Sequence, residues 1–301
     1  MQPTQLQNNT TAASERGTNL RLALPKGRMQ EGVARLLDEA GLSMSTSARS
    51  YRPRLDIDGI EAKLLKPQNI IEMLEAGSRD IGFAGADWVE ELDVDLVELL
   101  DTGLDPVRLV AAAPRALLVD GQLPDQPLTI ASEYVNITQR WIKASGLNAR
   151  VVRSFGATEV FPPEDADCIV DNTATGSTLR ANDLAIVDLL ARSTTRLYAN
   201  PAALDDPDKR TAIEGIVMLI DSVLQARRRV MVEVNVPNDK LDDVIDALPS
   251  MGEPTIATLY RDSGYAVKAA ILRSDLATVI PLVRQRGGTD IVVTRTANIV
   301  A

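Results

Sequence analysis

The chain has 301 residues, 45 % of them hydrophobic and 25 % charged, a globular balance with material for two or three domains. Its formal net charge of −10 argues against a nucleic-acid partner, so an anionic ligand would have to be held by local cations and backbone amides. There is no histidine and one cysteine, which excludes Ser-His-Asp and Cys-His catalysis, His-ligated zinc and an intramolecular disulfide.

Residues 1–18 are polar and aperiodic, with neither the basic start nor the apolar stretch of a secretory signal, and read as a disordered tail. No apolar run reaches the length of a membrane span, so a cytoplasmic protein without a membrane partner is expected. Order begins with a strand at Leu20–Leu24 and the turn "PKGR". The apolar spacing of "MQEGVARLLDEAGL" then predicts a helix ending at Gly41. "EAKLLK", "DIGFAG", "VRLVAAAP", "LTIASE", "ARVVRS" and "DCIVD" read as strands. "PQNIIEMLEAG", "ADWVEEL", "NITQRWIKASG" and "NDLAIVDLLARS" read as helices between or after them, and such alternation predicts parallel α/β sheets. "TAIEGIVMLIDSVLQARRR" is a long amphipathic helix whose closing arginines suit the negative end of its dipole. After Arg229 the order is strand, helix ("DKLDDVIDALPSM"), two strands around "RDSG", helix and strand, a ferredoxin-like β-α-β-β-α-β unit.

The stretch "CIVDNTATGSTLRAND" places Asp171 at the carboxyl end of a strand, where open α/β sheets bind ligands. Thr173, Ala174, Thr175, Gly176, Ser177 and Thr178 follow and lead into a helix. Helix-start amides, hydroxyls and a glycine make a phosphate cradle, and the acid before them suits a ribose diol. The same residues also read as an N-cap cluster holding no ligand. The loop lacks the lysine of a Walker motif. Lys26 and Arg28 flank Gly27 after the first strand and suit phosphate oxygens, though basic turns are common. Asp87 opens a helix, a position more often a cap than a ligand, and the acids behind it read as a solvated face. Tyr134 suits either a base-stacking position or the core, and Glu159 has no role assigned by spacing. Cys168 sits in an apolar run and reads as a buried, inert thiol.

Together these stretches resemble the ATP phosphoribosyltransferase family, over about residues 20–301. "ADCIVDNTATGSTLRAND" carries the resemblance most specifically, supported in order by "LRLALPKGR", "DIGFAGAD", "IASEYVNIT" and "GATE". Val135, Asn172, Thr173 and the Phe-Ala pair of "GFAG" stand where the family commonly has other residues. The resemblance implies two α/β lobes like a type II periplasmic binding protein: 19–106 with 199–226, and 107–198. To these it adds a C-terminal ferredoxin-like (ACT-like) regulatory domain over 227–301. It implies that Asp171 and residues 173–178 bind phosphoribosyl pyrophosphate, and that Lys26 and Arg28 face substrate phosphates. Asp87, Tyr134 and Glu159 would lie near ATP, and Mg²⁺ would be carried mostly by substrate phosphates. It further implies feedback by L-histidine, with Thr255 and Thr258 as candidate contacts, and a homo-oligomer of dimers assembling to hexamers. A cytosolic ligand sensor and an inactive regulatory paralogue share the same outline.

Overall fold

The computed structural model describes residues 19–45 and 51–300; the tail expected over 1–18 lies outside them. The first described element is β1 (Leu20–Pro25), whose residues are almost all buried, as a central strand covered on both faces requires. α1 (Arg28–Glu39) follows and buries Val33, Leu36 and Leu37. After the short pair β2 (Met44–Ser45) and β3 (Arg54–Leu55) come β4 (Ile60–Leu65) and α2 (Pro67–Glu75). Pro67 opens α2 at its first turn, where a missing N–H costs nothing. β5 (Ile81–Gly85) and α3 (Ala86–Leu92) complete this part, and β1 lies between β4 and β5, parallel to both.

Two long antiparallel strands, β6 (Val97–Pro114) and β10 (Leu184–Ala199), then form the middle of one eight-stranded sheet, in the order β4-β1-β5-β10-β6-β9-β7-β8. Between them the chain builds β7 (Leu128–Ser132), α4 (Val135–Ser145), β8 (Ala149–Arg153), β9 (Cys168–Thr173) and α5 (Ser177–Ala181). The end of β10 pairs with β5, whereas the end of β6 pairs with β9. The two strands therefore run from one α/β lobe into the other, in the manner of a type II periplasmic binding protein. Separate apolar clusters fill the two lobes, one around Leu22, Leu36, Phe83 and Ile220, another around Leu109, Ile130, Tyr134 and Val170.

One element departs from expectation. Of residues 182–193, predicted helical, all from Leu184 onward belong to the strand β10. Bulges between Ile186 and Asp188 and between Leu189 and Ala191 each insert a residue, so the apolar side chains lose the strict alternation of a strand and mimic a helical spacing. β6 likewise begins ten residues before "VRLVAAAP", at the polar "VELLDTGLDP", because its first half carries Leu99 and Leu100 against the first lobe's core.

α6 (Pro201–Asp205) and α7 (Pro207–Arg228) return the chain to the first lobe. Asp206 caps α7 by accepting from the Asp208 and Lys209 amides. Then follow β11 (Arg229–Val236), α8 (Leu241–Ile245), β12 (Thr255–Thr258), β13 (Tyr265–Leu272), α9 (Leu276–Gln285) and β14 (Thr289–Thr294). The antiparallel order β12-β13-β11-β14 is ferredoxin-like, as the element order predicts. The first helix of this unit is shorter than expected and is preceded by a 3₁₀ turn over Asn238–Lys240.

A buried charge cluster joins β1, β5 and α7. Asp80, 2 % exposed, accepts from the Arg21 amide (2.7 Å), the Arg21 guanidinium (2.7 and 3.0 Å) and Lys209 Nζ (2.8 Å). Burial alone would raise its pKa; the bonds from Arg21 and Lys209 outweigh it and hold the carboxyl below its ordinary value. A depressed carboxyl stabilises the fold above its unfolded pKa, near 3.9, and loses that contribution as the pH falls through the folded value. Urea unfolding at pH 7 is therefore expected to find Asp80→Asn about 3 kcal/mol less stable than wild type. The gap between the two should narrow below about pH 4.

Candidate active site between the lobes

A cleft of about 240 Å³ opens where the lobes meet. Lys26 and Arg28 enter it from the turn after β1, and Glu133, Tyr134 and Asn172 enter from the second lobe. Asp87, Trp88 and the crossing segment Ser193–Thr195 complete its floor. Arg28 is exposed, and Lys26 lies 5.2 Å over the ring of Tyr51.

The floor is a closed hydrogen-bond network. Tyr134, fully buried, donates through its hydroxyl to Asp87 Oδ2 (2.6 Å) and accepts from Asn172 Nδ2 (2.9 Å). Ser193 donates to Asp87 Oδ1 (2.6 Å) and accepts from the Asp87 amide (3.1 Å). Burial, with the Asp87 carboxylate close by, pushes the Tyr134 phenol far above its ordinary value, so it acts as a fixed donor. Ser132 orients Tyr134 by accepting its amide hydrogen (2.9 Å) while donating to the Val170 carbonyl (2.7 Å). Trp88 stacks on Tyr134 with centroids 4.6 Å apart. Gly85 is required by this arrangement, since a Cβ there would stand 2.1 Å from Asp87 Oδ1.

Of the acids after Asp87, Glu90, Asp93 and Asp95 are exposed as the sequence suggests, but Glu91 is not. Glu91 is 2 % exposed and reaches across to the other lobe, where its carboxylate accepts from the Asn136 amide (3.0 Å) and the Ile137 amide (2.9 Å). It thus caps α4, which has no side-chain cap of its own. Asn136 Nδ2 donates back to the Glu91 carbonyl (2.8 Å).

The segment 171–178 borders the cleft. Asp171, half-buried, follows the buried run Cys168–Val170 of β9; its Oδ1 accepts from the Asn172 amide (2.7 Å). Burial first, and then the charges of Glu159 and Glu133, push its pKa up to about 6. Glu159 thus stands with the carboxylates around Asp171, apart from the lining of the cleft itself. Thr173 is buried and accepts from the Gly176 amide (3.0 Å), which sets the turn; Gly176 itself adopts φ 72°. Ala174, Thr175, Ser177 and Thr178 are exposed at the rim, and Thr175 hydrogen-bonds Ser177 (3.1 Å). Ala174 lines an adjoining groove with Arg108, Arg192 and Arg196. Of these, Arg196 is paired with Glu98 (2.6 Å), whereas Arg108 and Arg192 have no carboxylate partner among the described residues. A second hollow, with Lys66, Arg153 and the 87 % exposed Phe155, continues the cleft past Trp88 and Glu133.

Lys26, Arg28, Asp87 and Tyr134 are therefore gathered in one place with Asn172, whereas Asp171 and residues 173–178 flank Asn172 without lining the cleft themselves. Thr255 and Thr258 lie elsewhere, exposed on the edge strand β12. Cys168 is buried, and burial pushes its thiol up to about 12. Trp88, Glu91, Ser193, Arg108 and Arg192 carry no sequence signal that separates them from ordinary core, surface and strand residues. Asn172, which departs from common family usage, turns out to hold Tyr134.

Comparison with known proteins agrees with this geometry. Residues 66–222 match the sequence model described as ATP phosphoribosyltransferase, and residues 226–298 match that described as HisG, C-terminal domain. The ATP phosphoribosyltransferase of Pelodictyon phaeoclathratiforme is 38 % identical over 277 residues, 90 % of this chain and 94 % of that protein. That of Pelotomaculum thermopropionicum is 36 % identical over 278 residues, 91 % and 96 % of the two chains. Among solved structures, the ATP phosphoribosyl transferase (HisG:HisZ) complex from Thermotoga maritima is similar at 28 % identity and a TM-score of 0.59. The likeness covers 67 % of this chain and 98 % of that one.

Replacing Gly85 by Ala is expected to drive the Asp87 carboxylate from its partners and leave buried polar groups unpaired. A loss of about 2–4 kcal/mol in unfolding free energy, read from urea denaturation, is the expected outcome. Ala at the open position Gly215, where a Cβ meets nothing within 4 Å, serves as the control.

Proposed function

The chain belongs to the ATP phosphoribosyltransferase family, and from that membership we propose how its cleft works. The reaction joins N1 of the adenine of ATP to the anomeric carbon of phosphoribosyl pyrophosphate, releases pyrophosphate and opens L-histidine biosynthesis. The observation that carries this reading is the meeting, in one cleft, of Lys26 and Arg28 from one lobe with Glu133, Tyr134 and Asn172 from the other, Asn172 being the residue that leads from Asp171 into the 173–178 turn.

The adenine N1 lone pair carries no proton, so attack needs no strong base, and a chain without histidine is equal to the task. The barrier lies in charge separation: positive charge grows on the ribose as the C1–O bond breaks, and negative charge grows on the departing pyrophosphate. Lys26 and Arg28 stabilise the second, and the 171–178 turn holds the 5-phosphate. Asp171 accepts hydrogen bonds from the ribose hydroxyls and, as a carboxylate, favours the positive ring. The buried floor of Asp87, Tyr134 and Asn172 keeps the two halves of the site in register. Tyr134 and Asp87 thus act near the nucleotide by positioning, since both oxygens of Asp87 already accept protein hydrogen bonds.

The residues present fit Mg²⁺ arriving on substrate phosphates. Among the described residues no three carboxylates are grouped to hold a metal ion, so the ion would be carried by the phosphates themselves, with Lys26 and Arg28 beside them. When bound, Mg²⁺ supplies charge neutralisation of the pyrophosphate. We assign the C-terminal domain to feedback by L-histidine, with exposed Thr255 and Thr258 as contacts, in a cytoplasmic homo-oligomer. We place the domain borders at 19–106 with 199–226, 107–198, and 227–301.

The product alters the adenine chromophore, so absorbance reports turnover. Asp171→Asn is expected to lower the rate about 100-fold while leaving the fold intact. Because the carboxylate is the working form, wild-type kcat/KM should fall as the pH drops through about 6, and Asp171→Asn should lack that limb. Wild-type turnover by Asp171→Asn would remove the residue from the mechanism. L-Histidine should lower the wild-type rate and give binding heat in titration; the absence of both effects would withdraw the feedback assignment.

A further inference from the structure

A cationic hollow of about 420 Å³ lies away from the cleft, at the junction of the first lobe and the C-terminal domain. Its register explains its charge. β11 begins at Arg229, which pairs with Leu272, so Arg273 follows at the same end of the sheet. Met231 pairs with Thr294, so Arg295 and Thr296 emerge beside them from the neighbouring strand β14. Arg227, at the end of α7, completes the set and is bound to Glu39 of α1 (2.8 Å). The segment after β14 then folds back on α7, where the Ile299 amide donates to the Ser222 carbonyl (3.0 Å) and Asn298 donates to Ser222 Oγ (3.0 Å).

Adjacent strand ends thus present arginines to one space, in a chain of net charge −10. Among the described residues, Arg229, Arg273 and Arg295 have no carboxylate within 4.0 Å, and Arg229 makes its contact with the neutral Gln225. Mutual repulsion of unpaired guanidinium groups is unfavourable unless an anion shares them. A second observation points the same way: Thr296 Oγ1 is buried and has no hydrogen-bond partner. A buried hydroxyl left unsatisfied costs about 1–3 kcal/mol, and this one belongs to a residue lining the hollow.

We propose that this junction is a second anion site, which takes the phosphate groups of a small oligophosphate between Arg229, Arg273, Arg295 and Thr296. Arg227 reaches the same anion while keeping Glu39, so the bound ligand ties the C-terminal sheet to α1 and α7. The site is independent of the reading of the cleft. A free oligophosphate and the tail of a nucleotide present the same chemistry to it.

The test is isothermal titration of inorganic tripolyphosphate, and separately of GTP, into the full chain. Binding should persist in Lys26→Ala/Arg28→Ala, which disables the cleft, and weaken at least about tenfold in Arg273→Ala/Arg295→Ala. Thr296→Val should weaken it about fivefold without lowering the melting temperature, because its hydroxyl contributes no bond in the free protein. Similar affinities for the two probes would assign the free oligophosphate, and GTP at least about tenfold tighter would assign a nucleotide. If the alanine pair does not fold, Arg273→Gln/Arg295→Gln removes the charge at similar length. Unaltered affinity in the folded arginine variants, or complete loss in the cleft variant, would overturn the proposal.

Discussion

The hydroxyl of Tyr134 bound to the carboxylate of Asp87 is the contact on which the site depends. Asp87 belongs to the helix that follows β5, Tyr134 to the turn before α4, and Ser193, which holds the other carboxylate oxygen, to the crossing strand β10. One buried carboxylate therefore gathers both lobes and the strand that joins them. Glu91 adds a second tie one turn along α3, with its carboxylate on the opening amides of α4. A helix start capped from another lobe is costly to separate, since parting would leave amides and a carboxylate unpaired. The Lys26–Arg28 turn and the Asp171 segment are carried on either side of this seam, so their spacing is set by bonds that no substrate has to make.

The charge distribution follows the same economy of means. An acidic chain is a poor attractor of polyanions at long range, and at physiological salt the field is screened within about 8 Å. Cations matter where they are placed: Lys26 and Arg28 at the cleft, Arg108 and Arg192 at its rim, and the arginine cluster at the domain junction. Carboxylates gather around Asp171 beside the cleft, where burial and mutual repulsion raise its pKa, and in the proposed reading they face the ribose. Cations on one lobe and carboxylates on the other suit the proposed reaction, in which opposite charges separate.

Much of this was legible in the sequence. The strands of the first lobe announced themselves as short apolar runs, and the ferredoxin-like unit by its element order. The Asp171 segment stood out because an acid, hydroxyl residues and a glycine follow an apolar strand. Two kinds of feature were hidden. In β10 the bulges at Asp188 and Ala191 reset the side-chain alternation, and local spacing then favoured a helix that the long-range pairing with β6 overrides. Glu91 and Ser193 act through partners 45 and 106 residues away, a relation that periodicity does not carry. Gly85 hides likewise, since the atom that excludes a Cβ is a side chain turned back by distant bonds.

The central claim is that the seam between α3 and α4 holds the lobes in one arrangement before substrate arrives. The only cysteine of the chain, Cys168, is buried, so spin labels can be directed to exposed Glu75→Cys on α2 and Lys143→Cys on α4. The distance between them is then measured by pulsed electron resonance in protein diluted with unlabelled chains, with and without phosphoribosyl pyrophosphate and Mg²⁺. A single narrow distribution, unchanged by the ligand, is the predicted result. A broad or two-peaked distribution that sharpens when the ligand binds would contradict it and make closure, in place of a preset seam, the step that assembles the site.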